Sequence, residues 1–184
     1  MHKNQIDIDA QIHDCLKLYR ELVARVDRLT DAVRRKYPAD IACRKGCECG
    51  CRNLSIFPVE ALSVFAAIRE LPAKIAATIR QRAAANTIWN CPLLEDRACG
   101  LYPFRPIICR THGLPLQTIF NGRPSIGYCR RNFKNWPEIP PDAVIDLDWI
   151  NNALRVVNAA LVPHLSRQMP ARLSIAAAVH LRLR

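Results

Sequence analysis

Eight of the nine cysteines lie between Cys43 and Cys129, and that clustering constrains the chain more than any other feature. A disulfide framework serves small exported domains that are short of a core. This chain has 184 residues, half of them hydrophobic, so it can bury a core without covalent staples. The opening MHKNQIDIDA has no apolar stretch of the secretory kind, and no apolar run approaches the roughly 20 residues of a membrane span. These features lead to the expectation of a cytoplasmic protein with reduced thiols, and thiols in that number call for a metal.

The spacing shows how such thiols could meet. Cys43, Cys47 and Cys51 are spaced i, i+4, i+8, whereas Cys47, Cys49 and Cys51 are spaced i, i+2, i+4. A helix would place the first trio about 5–6 Å apart and a strand the second trio about 7 Å apart. Tetrahedral thiolates at about 2.3 Å from zinc stand closer together than either, so Cys43–Asn53 is expected to be an irregular loop bent at Gly46 and Gly50. Cys91, Cys99, Cys109 and Cys129 come from separate loops, as suits sites closed across the fold. Two four-cysteine sites, one four-iron cluster with spare thiols, and one polynuclear site all remain open. Cys15 stands apart on a helical stripe and reads as a small buried hydrophobe.

The net charge of +11 suggests a polyanion partner at first sight. It divides as +1 over residues 1–42, +5 over 43–122 and +5 over 123–184, so the excess surrounds and follows the cysteines. Eight thiolates with two divalent ions would lower the total to about +7. Arg44, Lys45, Arg52, Arg97, Arg105, Arg110, Arg130 and Arg131 all lie within a few residues of a cysteine, where they favour thiolate. Aromatic residues are only 7% and no helix carries an unbroken basic face. Sequence-specific nucleic-acid reading is therefore not expected, and a zinc-stapled nucleic-acid module is the minor alternative.

Hydrophobic periodicity places helices around this centre. Ile12, Leu16, Tyr19, Val23, Val26 and Val33 keep a 4, 3 spacing, with Thr30 in the remaining slot, which predicts an amphipathic helix over about 6–35. Its near-heptad stripe suits packing within the chain or pairing with a protein partner or a second copy. Pro58 and Glu60 open a helix that Pro72 stops. Residues 74–86 read as a further helix, as do 143–162 and about 171–183. Residues 91–141 hold eight of the thirteen prolines and read as loops and short turns with no strand run of note. The expected fold is mainly α, with helices packed around an irregular, metal-stapled cysteine-rich centre. The expected division is an amphipathic helix over 1–40, a cysteine-cluster module over 41–135, and helices over 142–184 that pack on the module.

The ordered motifs Cys43-x3-Cys47-x-Cys49-x-Cys51-Arg52, Cys91-Pro92-Leu93-Leu94, Cys99-x2-Tyr102-x2-Arg105-Pro106-x2-Cys109-Arg110 and Cys129 resemble the bacterial YkgJ-like cysteine cluster proteins. That resemblance spans Cys43 to Cys129. It implies a zinc- or iron-chelating domain, often described as containing an iron–sulfur cluster, and some relatives are flagellin lysine methylases. The first family motif typically ends in two adjacent cysteines at positions 50 and 51, whereas this chain has Gly50 with a cysteine at 49. Cys43, Cys47, Cys49, Cys51, Cys91, Cys99, Cys109 and Cys129 are the expected metal ligands, holding Zn2+ or iron. Arg105, Arg110 and Tyr102 are expected beside the bound group. The arginines would hydrogen-bond thiolates or receive an anionic ligand. With eight cysteines present, His112 is expected to hydrogen-bond rather than ligate, and His13, His164 and His180 have no partner at metal spacing. The chain has no phosphate loop, no GxSxG, no HExxH and no dinucleotide fingerprint.

Overall fold

The structure, a computed structural model, describes residues 2–85, 90–165 and 169–181, with side chains from residue 11 onward. About half of the chain is helical, as the periodicity predicts. Helix α1 (His2–Lys36) carries Arg34, Arg35 and Lys36 in its last turn, where cations meet the negative end of the helix dipole. Its stripe is spent inside the chain: Cys15, Leu16, Tyr19, Leu22, Val26 and Val33 are buried, and Thr30 is fully so. They pack with helix α5 (Leu147–Leu161) and with Phe57, Val59, Leu62, Leu114 and Phe133 in one core.

Helix α2 (Pro58–Arg69) separates this core from a second one. Val59 and Leu62 face the first, while Ala61, Val64 and Ile68 face the second. A helix apolar on nearly all sides belongs in the interior, and α2 is central to the fold. The second core adds Ala76 and Ile79 of helix α3 (Ala73–Ala84), Leu93, Leu101, and the short helix α6 (Ile175–Val179). Cys91, Cys99 and Cys109 pack against its edge.

Strand β1 (Ser55–Ile56) pairs antiparallel with β7 (Leu173–Ser174), bringing the carboxy-terminal segment beside the cysteine loop. Strands β2 (Leu94–Glu95) and β3 (Ala98–Cys99) form a small hairpin. A five-residue helix α4 (Ile107–Thr111) leads into β4 (Leu116–Phe120), which pairs antiparallel with β5 (Arg123–Gly127) and parallel with β6 (Ile145–Asp146).

The β4–β5 hairpin corrects the expectation of loops alone across 91–141. Asn121 and Gly122 turn it with φ of 51° and 74°, the two positive values that a tight hairpin turn requires. Two helix boundaries also move inward. Residues 145–146 join the sheet and Asp146 caps α5, accepting from the Trp149 amide at 2.9 Å. Leu173 and Ser174 pair with β1 and Ser174 caps α6, accepting from the Ala177 amide at 3.1 Å. Asn86, the expected end of one helix, and residues 182–183, the expected end of the last, lie outside the described residues. Among the described residues no helix is long and apolar enough to cross a membrane.

Glu60 ties the start of α2 to the start of α4. Its carboxylate accepts from the Phe57 amide at 2.9 Å, at the start of α2, and from the Ile107 amide at 3.0 Å, at the start of α4. Burial nonetheless raises its carboxyl above the ordinary value, against the pull of those two donors. Each buried N–H left without a partner costs about 1–3 kcal/mol. Glu60→Ala is therefore expected to lower stability by about 2–4 kcal/mol, read as a lower denaturant midpoint at unchanged m, and to loosen α4 most in amide exchange.

Candidate metal centre

The loop after α1 is built from two consecutive turns, each ending on a cysteine. The Cys47 amide donates to the Arg44 carbonyl and the Cys51 amide to the Glu48 carbonyl, both at 2.9 Å. Gly46 holds φ 93° in the first of them, a conformation open chiefly to glycine. Arg97, at the tip of the β2–β3 hairpin, reaches Glu48 at 3.3 Å and ties that hairpin to the loop. Cys91 ends the chain's approach to β2, Cys99 closes β3, Cys109 lies on α4, and Cys129 follows β5.

These segments surround a cavity of about 90 Å³ lined by Cys43, Cys47, Cys51, Cys91, Cys99 and Cys109. Cys109 is within electrostatic reach of Cys91 and Cys99, Cys91 of Cys99 and Cys51, and Cys51 of Cys99 and Cys47. Cys43 stands instead with Cys129 and Cys47. Cys49 is exposed, outside the cavity wall, with its sulfur 3.9 Å from the Arg131 guanidinium. Cys15 is buried in the first core. The sulfurs line the cavity without closing on a point: among the described residues, no three His, Cys, Asp or Glu side chains are gathered tightly enough to ligate one ion as they stand.

The environment of the sulfurs favours thiolate only with help. Burial pushes the Cys91 and Cys109 thiols up to about 12 and raises those of Cys43, Cys51 and Cys99. Against this, the Leu93 and Leu94 amides donate to the Cys91 sulfur, and the Leu101 amide donates to that of Cys99. Backbone N–H groups aimed at a sulfur two or three residues earlier stabilise its anion. The Arg105 guanidinium acts in the same direction on Cys51, Cys99 and Cys109. Buried thiols with anion-stabilising donors around them match the chemistry of a soft dication, which would supply the missing positive charge.

Arg105 and Tyr102 line the cavity as expected. The guanidinium lies over the Tyr102 ring at 3.6 Å, and its Nε donates to the Tyr102 carbonyl at 3.0 Å. Arg110 is placed otherwise. It is buried, and it donates to both oxygens of Asp27 on α1 at 2.9 and 2.7 Å, to the Arg105 carbonyl at 2.7 Å and to the Pro103 carbonyl. It braces the segment that carries Cys109.

Two residues that frame the site escape sequence reading. Asn132 is buried. Its side chain accepts from the Ala42 amide at 2.8 Å and donates to the Gly113 carbonyl at 2.6 Å and to the Cys43 sulfur at 3.4 Å. Gly113 holds φ 84°, and a Cβ there would stand 2.5 Å from the Cys43 sulfur. An asparagine three residues after a cysteine, and a glycine after a Cys-x-x-His, are the faint signals available. Comparison with family profiles, curated proteins and solved structures gave no match to this chain.

Gly113→Ala tests how closely the frame is fitted. A side chain held at positive φ costs about 1–3 kcal/mol, and this one also displaces Cys43. The expected result is a lower thermal midpoint and, under reducing conditions, faster alkylation of Cys43 in native protein. An unchanged rate and midpoint would show that the Cys43 packing is slack.

Proposed function

We propose that this protein is a YkgJ-like metal-binding protein that holds zinc or iron through its clustered cysteines, and that the metal orders the irregular centre. The carrying observation is the single cavity walled by six cysteines, with amide donors aimed at the sulfurs of two of them. Binding requires the sulfurs to draw closer together and to release their protons. The bound cation supplies the charge that burial otherwise denies to thiolates. Residues 41–135 act in this reading as a metal module, with the flanking helices as its scaffold.

The energetics support a structural role. Zinc binding in small peptides contributes about 10–16 kcal/mol to folding, enough to order a proline-rich stretch with few long secondary elements. The buried side chains of α1, part of α2 and α5 make up most of the first core, which Ile107, Leu114 and Phe133 of the module complete, so the scaffold depends on the metal to a lesser degree.

Protein purified anaerobically under reducing conditions is expected to contain at least one zinc or iron per chain by elemental analysis, with visible absorption if the metal is iron with sulfide. A folded, reduced, metal-free chain overturns the reading. Removing the metal with a chelator is expected to speed amide exchange in 43–53 and 91–129 and to leave α1 and α5 largely protected. Uniform protection would show that the cysteines are incidental to the fold.

A further inference from the structure

Position 50 is fitted against a histidine from another segment. A Cβ at position 50 would lie 2.0, 2.3 and 2.5 Å from Nε2, Cδ2 and Cε1 of His112, so the imidazole ring packs directly on Gly50. Only glycine at 50 admits the ring. His112 lines the cavity and Cys49 does not. The residue after His112 is Gly113, which lies against the Cys43 sulfur and the Cys129 Cβ and accepts from the Cys129 amide at 3.1 Å. The histidine is therefore carried into the cavity on the segment that also meets Cys43 and Cys129.

Resting on the metal-binding reading above, we propose that the chain holds two unequal tetrahedral sites. The inner site has four thiolates, from Cys51, Cys91, Cys99 and Cys109. The outer site has three, from Cys43, Cys47 and Cys129, with His112 Nε2 as the fourth ligand. Cys49 is a free surface thiol. Grouping supports the division: Cys91, Cys99 and Cys109 neighbour one another, Cys51 adjoins Cys91 and Cys99 and meets the other set at Cys47, and Cys43 neighbours Cys129 and Cys47.

Charge supports it as well. A divalent ion with four thiolates carries −2, and with three thiolates and a neutral imidazole −1. The guanidinium of Arg105 stands by the inner set, together with the Leu93, Leu94 and Leu101 amides. The outer set has a neutral donor, Asn132, on Cys43. The larger negative charge falls where the greater number of N–H donors reach the sulfurs.

The test compares intact wild-type protein with Cys49→Ser, His112→Ala and His112→Cys, each loaded anaerobically with Zn2+ or Co2+ and freed of excess metal. Wild type and Cys49→Ser are expected to keep two ions per chain, and His112→Ala is expected to keep one. His112→Cys is expected to restore the second ion, with stronger sulfur-to-cobalt absorption from the added thiolate. If His112→Ala does not fold, His112→Cys and Cys49→Ser still decide between the donors. Loss of an ion in Cys49→Ser, or two ions retained by folded His112→Ala, overturns the assignment while leaving metal binding intact. Iron with inorganic sulfide in place of two single ions also overturns the two-site division alone. A wild type that binds neither ion, with no iron or sulfide either, removes both readings.

Discussion

Helix α4 is only five residues long and has too few internal hydrogen bonds to stand by itself. Buried charge holds it at both ends. The Glu60 carboxylate takes its first amide, and Arg110 reaches from its last turn to Asp27 on α1 while satisfying two carbonyls of the approaching loop. A buried guanidinium with a carboxylate and two further carbonyl acceptors is well satisfied, and its removal would take a partner from two carbonyls and from the partly exposed Asp27 carboxylate together. Because α4 carries Cys109 and ends at His112, these polar ties set the position of the cavity wall relative to both cores. The placement of the sulfurs depends on an ion pair outside the cavity.

The same logic explains the charge of the chain. The basic residues near the cysteines answer several local demands. Arg105 faces the sulfurs, Arg97 pairs with Glu48, Arg110 pairs with Asp27, and Arg131 lies near Cys49.

Much of the architecture was legible in the sequence because it rests on long-period hydrophobic patterning. The stripe of α1 and the prolines bracketing α2 gave those helices within a few residues. The β4–β5 hairpin was not legible by that route. All of β5 is exposed and it contains Pro124, so no apolar alternation marks it, and only the Asn121–Gly122 pair announces the turn. Strands β6 and β7 are two residues each and exist through partners far away in sequence. Local pattern extended α5 and α6 across them because nothing local says where tertiary pairing takes over.

At the candidate site, the cysteines announced themselves by residue type, but their grouping is a matter of distance in space. Neither Asn132 touching Cys43 nor His112 lying on Gly50 could be foreseen, since each contact joins segments more than sixty residues apart in sequence. Gly50 in particular reads in sequence as one more flexible loop residue. Its missing Cβ is instead the space that the imidazole fills. Spacing along the chain records which residues are near in sequence, so it singles out Cys49, which lies outside the cavity wall, and passes over His112, which lines it.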